Sequence, residues 1–160
     1  MSMRIGTGLD VHPFASAPRP LVLAGVEIPD AVGLEGHSDA DVVAHAVTDA
    51  VLGALALGDL GSRFGVDTDE LAGARSVDLL ATAVADLTDL GWAVANVDAV
   101  IVAQRPRLLG HREAMRASLA TAMSLPVDRV SLKATTTDRL GAIGRSEGIA
   151  CWATVLVERA

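Results

Sequence analysis

The stretch Arg4-Ile5-Gly6-Thr7-Gly8-Leu9-Asp10-Val11-His12 predicts a β-strand whose last residues are suited to binding a metal ion. Because successive side chains of a strand point to opposite faces, Asp10 and His12 project from the same face, roughly 7 Å apart along the backbone. His45 lies in a segment of helical periodicity that follows a glycine-bearing loop. One carboxylate and two imidazoles suit zinc, and three protein ligands leave a fourth position open, as in catalytic zinc sites.

His45 falls outside the apolar stripe of its predicted helix, on a face that it shares with Asp41 and Asp49. A carboxylate often orients a ligating imidazole by accepting a hydrogen bond from its other nitrogen. We therefore expect Asp41 or Asp49 to orient His45. His37 precedes the predicted helix start, where it could reach an anion, although an ordinary loop histidine is an equally good interpretation.

The remaining periodicity predicts one α/β domain over residues 1–160, with helices covering one face of a mixed sheet. Strands or apolar runs are expected at 4–12, 21–28, 94–102, 130–134 and 149–157, and helices at about 38–57, 76–90 and 111–123. Ser38, with Asp41 three residues later, resembles a capping box and is expected to start the first helix. The segments 62–73 and 135–148 are expected to be loops.

Composition excludes several classes of function. The 160 residues carry a formal net charge of −7, which disfavours a nucleic-acid partner, since phosphate backbones need a basic surface. Hydrophobic residues make up 51% of the chain, yet no run approaches the roughly 20 residues of a membrane span. The apolar excess indicates contacts between subunits. The single cysteine, Cys151, permits no internal disulfide, and without a signal peptide we expect a cytoplasmic protein.

Polar residues after the predicted strand 130–134 form a second candidate site. Thr135-Thr136-Thr137-Asp138 offers three hydroxyls and a carboxylate, a possible phosphate cradle with a ligand for Mg²⁺. A threonine-rich strand end is the alternative. Arg145 and Glu147 could form a paired surface turn or part of an anion site, and the loop 103–109 could border a planar ligand. No serine or cysteine has the sequence context of an activated nucleophile, so the nucleophile would belong to the substrate or to metal-bound water.

Several motifs are spread over essentially the whole chain. They are the opening stretch 4–12, His37-Ser38-Asp39-x-Asp41 ahead of His45, Gly58-Asp59-Leu60-Gly61, Lys133-Ala134-Thr135-Thr136-Thr137 and Gly144-Arg145-x-Glu147-Gly148-Ile149-Ala150. Together they resemble the motifs of the 2-C-methyl-D-erythritol 2,4-cyclodiphosphate synthase family. The resemblance implies a homotrimer of α/β subunits with active sites at the subunit interfaces. It also implies cyclisation of 4-diphosphocytidyl-2-C-methyl-D-erythritol 2-phosphate with release of CMP, in the non-mevalonate isoprenoid pathway.

The same resemblance implies roles for individual residues. Asp10, His12 and His45 would hold zinc, Asp138 would lie near a Mg²⁺ or Mn²⁺ ion on the substrate diphosphate, and His37 and Thr136 would stabilise the transition state. The implied substrate-binding residues are Ser38, Asp59, Gly61, Asp67, Asp69, Ala103, Pro106, Arg107, Leu108, Leu109, Ala134, Thr135, Thr137, Ala142 and Arg145.

Three of these positions depart from the family pattern. Asp138 stands where the family usually has glutamate, Ala142 where it usually has phenylalanine, and Arg107 where lysine is more common. Ala142 would widen an apolar cavity on the trimer axis. Two other functions fit the residues: a zinc hydrolase that uses metal-bound water, and a non-enzymatic trimeric module that binds a nucleotide or prenyl phosphate.

Overall fold

The computed structural model describes residues 2–65 and 73–160. Its strands are β1 (Met3–Pro13), β2 (Leu21–Leu23), β3 (Val26–Ile28), β4 (Trp92–Val102), β5 (Val130–Thr135) and β6 (Gly148–Arg159). Four of them form a sheet in the order β1-β6-β4-β5, and β2 pairs with β3 separately. Since β4 and β5 are parallel while the other two pairings are antiparallel, the predicted mixed sheet is confirmed.

Helices cover one face of this sheet, as predicted. They are α1 (Val42–Ala54), α2 (Leu60–Phe64), α3 (Ser76–Asp89), α4 (Arg112–Ala122) and α5 (Gly141–Gly144), with single 3-10 turns at Leu109–His111 and Val127–Arg129. Helix α1 packs on β1 and β6, α3 packs beside α1, and α4 packs on β5. In the described part of the chain, no helix combines the length and apolar character needed to cross a bilayer.

Two glycines of β1 allow α1 to lie directly against the strand. A Cβ atom at Gly6 would lie 1.9 Å from the Ala50 carbonyl oxygen, and one at Gly8 would lie 2.0 Å from that of Ala46. Both distances are far below van der Waals contact, so no other residue fits without moving the helix. This close packing places His45 of α1 beside the last residues of β1.

The opposite face of the sheet carries exposed apolar side chains. Ile5, Leu9 and Val11 of β1 are 67%, 56% and 54% exposed, and Trp152 of β6 is 55% exposed. Leu9 and Trp152 are direct partners across the two strands, so these side chains form one continuous apolar surface. Patches of this kind on a small domain usually mark a protein interface.

Several predicted boundaries were wrong. The apolar run 21–28 is a hairpin outside the main sheet rather than one strand, because Ala24 and Gly25 adopt positive φ values and turn the chain. Helix α1 begins after Asp41, not after Ser38: the Asp41 carboxylate accepts hydrogen bonds from the Val43 and Ala44 amides. Helix α2 extends into the predicted loop 62–73, and α5 lies within the predicted loop 135–148; both helices are too short to show periodicity.

The Gly8→Ala variant tests the close packing of α1 on β1. The added methyl group must push α1 away from the strand, so we expect the free energy of unfolding to fall by about 1–3 kcal/mol or more. Chemical denaturation monitored by circular dichroism measures this change. Gly110→Ala is the matched control, because a Cβ atom there has no heavy atom within 4 Å. Equal stability of the two variants would contradict the packing described here.

Candidate metal centre and its cavity

Asp10, His12 and His45 converge on one point, as the sequence predicted. Asp10 Oδ2 lies 3.0 Å from His12 Nε2 and 3.0 Å from His45 Nδ1, and the two nitrogens are 3.4 Å apart. A tetrahedral zinc with ordinary bond lengths separates its ligand atoms by about 3.4 Å. Within the described residues, these three form the one group of His, Cys, Asp or Glu side chains close enough to share a metal ion. The donor set and its spacing therefore fit a divalent metal.

Each imidazole is held through the nitrogen that points away from this centre. His12 Nδ1 lies 2.6 Å from the Glu35 carbonyl oxygen, which can only accept a hydrogen bond. Nδ1 therefore donates, and Nε2 faces the centre. His45 is held the other way round: its Nε2 lies 2.9 Å from Ser76 Oγ, while Nδ1 faces Asp10. Backbone carbonyls and polar side chains behind a histidine commonly orient it for metal binding.

The local electrostatics favour a cation at this point. Burial alone would raise the pKa of Asp10, but the adjacent His12 and His45 outweigh it and hold that pKa well below its usual range. The hydrogen bond with Asp10 raises the pKa of His12, burial opposes the rise, and the Glu35 carbonyl adds to it. Asp10 thus remains ionised at neutral pH and supplies a negative charge to the centre.

The expectation that Asp41 or Asp49 orients His45 was wrong. The buried Asp41 carboxylate accepts hydrogen bonds from the backbone amides of residues 24, 25, 43 and 44. Burial raises the pKa of Asp41 to about 6, against the effect of these amides. Asp49 Oδ1 accepts from the Leu60 amide at the start of α2. Both carboxylates fix backbone segments around the cavity.

The sequence reasoning missed two residues behind His45. Ser76 is the first residue of α3, and Asp39 lies in the loop before α1. Asp39 Oδ1 accepts a hydrogen bond of 2.5 Å from Ser76 Oγ, which is also the atom nearest to His45 Nε2. No spacing rule relates Asp39 and Ser76, 37 residues apart, so only the packing of α3 beside α1 reveals the contact.

The centre opens into a cavity of about 510 Å³. Its lining includes the predicted residues His37, Ser38, Asp59 and Gly61, together with Asp10, His12 and His45. The Asp59 carboxylate also caps α2, where Oδ1 accepts from the Ser62 amide at 2.7 Å. This volume suits a small-molecule ligand rather than a macromolecule. Asp67 and Asp69, predicted to bind substrate, lie outside the described residues.

One arginine fixes the loop that carries His37. The Arg19 guanidinium donates to the carbonyl oxygens of Gly36 and Ser38, at 2.6 Å and 2.5 Å. These carbonyls flank His37 on both sides, and the His37 carbonyl accepts from the Gly73 amide at 3.1 Å. The backbone at His37 is thereby fixed at the edge of the cavity. Nothing in the sequence pattern indicated this role for Arg19.

A second, smaller hollow of about 130 Å³ contains other predicted residues. Leu108, Leu109 and Ala134 line it, together with Arg112 and Lys133 among others. Ala103, Pro106 and Arg107 belong to the same loop after β4. As far as the structure describes the chain, none of these residues lines the metal cavity. Ser38, Asp59 and Gly61 therefore line one hollow, and Leu108, Leu109 and Ala134 line another.

The threonine-rich segment after β5 is exposed and folded on itself. Thr136 Oγ1 lies 3.2 Å from Asp138 Oδ1 and accepts from the Asp138 amide at 3.1 Å. Thr137 Oγ1 donates to the Leu140 carbonyl, while Thr135 ends the strand. The remaining predicted residues are Ala142, exposed on α5, and Arg145. Arg145 forms an ion pair with Glu147 at 2.6 Å, as expected for a paired surface turn. The alternative, an anion site at Arg145, stays a prediction.

The fold and the centre define a small α/β domain with an Asp/His/His site for a divalent metal. Comparison with known proteins then identifies its family. The model of the YgbB family matches residues 3–158, and the chain belongs to this family.

Relatives match over the whole chain. The 2-C-methyl-D-erythritol 2,4-cyclodiphosphate synthase of Idiomarina loihiensis is 53% identical over 99% of this chain and 99% of its own length. Among solved structures, the bifunctional IspDF of Campylobacter jejuni is 42% identical with a TM-score of 0.94; the match covers 99% of this chain and 43% of that one. The IspF of Plasmodium falciparum, solved as a CDP complex, is 29% identical with a TM-score of 0.86 and coverages of 99% and 97%.

Substitution of the ligands tests the metal centre. Asp10→Asn and His45→Ala each remove one of three donors, so we expect purified protein to lose its bound metal while keeping its fold. Elemental analysis after dialysis measures metal per chain, and circular dichroism monitors the fold. His111→Ala is the matched control, because His111 lies at the 3-10 turn before α4, away from the centre. Wild-type metal content in both ligand variants would disprove this centre.

Proposed function

We propose that this chain cyclises 4-diphosphocytidyl-2-C-methyl-D-erythritol 2-phosphate to 2-C-methyl-D-erythritol 2,4-cyclodiphosphate and releases CMP, as part of the non-mevalonate pathway to isoprenoids. The observation that carries the proposal is the Asp10–His12–His45 centre at the base of a cavity sized for a small molecule. Relatives of that name, matched over nearly their full length, support the same reaction.

The proposed centre holds zinc through Asp10, His12 and His45. Zinc bound there would supply positive charge to a phosphate group in the adjoining cavity. The chain itself fixes the three donors before any ligand arrives, through the Glu35 carbonyl behind His12 and Ser76 behind His45. Such preorganisation costs no rearrangement at the moment of reaction.

The reaction needs no protein nucleophile. An oxygen of the substrate's own 2-phosphate attacks the β-phosphorus, and a new P–O bond closes the ring. The bond from the β-phosphorus to the bridging oxygen breaks, and CMP leaves with that oxygen and its electron pair. The one cysteine, Cys151, is fully buried, and burial raises the pKa of its thiol, so it is inert. Catalysis then consists of positioning and charge stabilisation.

In this proposal His37 and Thr136 stabilise the charge that develops on the transferred phosphoryl group. Arg19 holds the backbone on both sides of His37, which keeps its imidazole at the cavity edge. Ser38, Asp59, Gly61, Asp67 and Asp69 bind the methylerythritol phosphate portion of the substrate. Ser38, Asp59 and Gly61 line the cavity, which supports their assignment.

The nucleotide end of the substrate occupies the second group of residues. Ala103, Pro106, Arg107, Leu108 and Leu109 enclose the cytosine. The diphosphate is bound by Ala134, Thr135 and Thr137, with Asp138 near a Mg²⁺ or Mn²⁺ ion that bridges its phosphates. A carboxylate oxygen is a suitable ligand for such an ion, directly or through water. The exposure of residues 134–136 and 138 leaves this segment accessible to a ligand.

A homotrimer would bring the two halves of the site together. Support for association comes from the apolar sheet face with Ile5, Leu9, Val11 and Trp152, which no helix covers in the described chain. Residues of the two substrate-binding groups also line separate hollows of one chain, which supports a site that a neighbouring subunit completes. Ala142 would lie near the trimer axis, and Arg145 would bind the substrate.

Product analysis tests the reaction. Incubation of the protein with the cytidylylated substrate and Mg²⁺ should release CMP and a cyclic diphosphate that resists phosphatase. In H₂¹⁸O the cyclic product should contain no ¹⁸O, because an oxygen of the substrate displaces CMP. Mass spectrometry measures both products. His37→Ala should lower kcat by about 100-fold or more, if its role is transition-state stabilisation, and His111→Ala should leave it unchanged.

The same experiment separates the alternatives. A hydrolase that uses metal-bound water would place ¹⁸O in its product and release no cyclic compound. A binding module would retain CDP or a prenyl phosphate without turnover. Either result would reject the cyclisation proposed here.

Introduction of negative charge on the open sheet face tests the trimer. Leu9→Glu and Trp152→Glu place carboxylates in the proposed interface, so we expect native mass spectrometry to show monomers and the activity to fall with the trimer fraction. Leu90→Glu, on an exposed leucine that follows α3, is the matched control and should remain trimeric. A wild-type protein that is monomeric, or two intact trimeric variants, would contradict this assembly.

A further inference from the structure

A buried hydroxyl connects the candidate metal centre to a carboxylate behind it. Ser76 Oγ lies 2.9 Å from His45 Nε2 and 2.5 Å from Asp39 Oδ1. Ser76 has no exposed surface. His45 lies on α1, Ser76 is the first residue of α3, and Asp39 lies in the loop before α1. The three side chains therefore meet only in the folded chain.

The direction of these hydrogen bonds follows from the number of protons. A serine hydroxyl has one proton to donate, and an ionised carboxylate can only accept. Asp39 Oδ1 is the charged and nearer partner, so the Ser76 proton points to Asp39. The lone pairs of Ser76 Oγ then face His45, and the hydrogen bond requires a proton on His45 Nε2. Nδ1, which points at Asp10 and His12, is left to bind the metal.

We propose that Ser76 and Asp39 are positioning residues that hold the proton of His45 on Nε2 and so present Nδ1 to the metal. This role rests on the proposed metal centre, because it concerns the nitrogen through which His45 binds. His12 needs no such pair, since the Glu35 carbonyl accepts its Nδ1 proton directly. The two histidines of the centre thus bind through different nitrogens, each selected by the acceptor on its other side.

The geometry distinguishes this role from helix capping alone. Asp39 Oδ2 already accepts a hydrogen bond from the Ser76 amide at 3.1 Å, so the first backbone amide of α3 has a partner without the Ser76 hydroxyl. The Asp39 amide in turn donates to the Ala74 carbonyl at 3.1 Å and fixes the carboxylate. Ser38 Oγ is a weaker candidate, because it lies 3.4 Å from His45 Nε2 and accepts from the Ala40 amide.

Metal affinity is the first measurement. Competition with a chromophoric chelator gives the zinc dissociation constant of wild-type protein, Ser76→Ala and Ser76→Thr. We expect Ser76→Ala to bind zinc about 10–100-fold more weakly, the usual effect of losing an orienting partner. Ser76→Thr keeps the hydroxyl and should recover most of the affinity. Asp39→Asn should weaken binding in the same direction, because it removes the charge that fixes the serine proton.

Thr48→Val is the matched control for Ser76→Ala. It also removes a buried hydroxyl, one turn after His45 on α1, but Thr48 Oγ1 donates its hydrogen bond to the Ala44 carbonyl instead. The zinc affinity of Thr48→Val should equal that of the wild type, even where its melting temperature falls. Asp78→Asn, on an exposed acid in the first turn of α3, is the control for Asp39→Asn.

The protonation of His45 is the second measurement, and it needs no metal. In protein labelled with ¹⁵N-histidine, His45 Nε2 should carry a proton that exchanges slowly with water, with or without zinc. Ser76→Ala should make that proton exchange rapidly, whereas a purely structural serine would leave it unchanged. The resonance is assigned by its loss in His45→Gln.

Two results would overturn the proposal: wild-type zinc affinity in folded Ser76→Ala, or an unprotonated Nε2 in the wild type. A wild-type protein that binds no divalent metal would instead reject the metal centre itself. In that case the exchange rate of the His45 Nε2 proton still shows whether Ser76 and Asp39 hold this proton. Failure of the metal centre and failure of the positioning role are therefore distinguishable.

Discussion

The contact between α1 and β1 determines where the functional groups of this protein lie. Gly6 and Gly8 leave no side chain between the strand and the carbonyl oxygens of Ala50 and Ala46, so the helix backbone rests on the strand. Closely packed interiors transmit a displacement of one atom to its neighbours. A helix shifted outward by one methyl group would carry His45 away from Asp10 and His12, whose positions follow from the strand. The packing of α1 on β1 therefore also sets the distances among Asp10, His12 and His45.

Polar side chains around the centre each hold a different backbone segment through hydrogen bonds. The buried Asp41 joins the β2–β3 turn to the start of α1 through four backbone amides, and Asp49 joins α1 to α2. Arg19 fixes the backbone beside His37 in the same manner. Charged hydrogen bonds to buried backbone groups are stronger than neutral ones, and they hold loops that have little apolar surface to bury. The cavity thus has a rigid frame although much of it is loop.

The two faces of the sheet have different partners. Helices α1, α3 and α4 bury one face and form the core, whereas the other face exposes Ile5, Leu9 and Trp152. A small domain gains little by leaving such a surface in water, since each buried apolar side chain contributes about 1.5–3 kcal/mol. Association through this face would explain the high apolar content of the sequence.

The sequence by itself determined the Asp10–His12–His45 cluster, the long elements and the mixed sheet. Asp10 and His12 follow from strand alternation, and β1, α3, β4 and β6 follow from periodicity over ten or more residues, where local preference is strong. Short elements such as α2 and α5, and the true cap of α1, escaped because one or two turns give no periodic signal. Asp41 and Asp49 were adjacent to His45 in helical projection, but their carboxylates turn to backbone amides instead.

Only the tertiary structure decided what lies behind His45. Asp39 and Ser76 are distant in sequence and meet because α3 packs beside α1, and the Arg19 contact with residues 36 and 38 likewise closes a loop across the fold. Whether two such groups form a hydrogen bond depends on differences of a few tenths of an ångström in the spacing of separate elements. Residue type and spacing carry no such information. The sequence pattern specifies which face of its element a side chain occupies, but not which residue of another element it contacts.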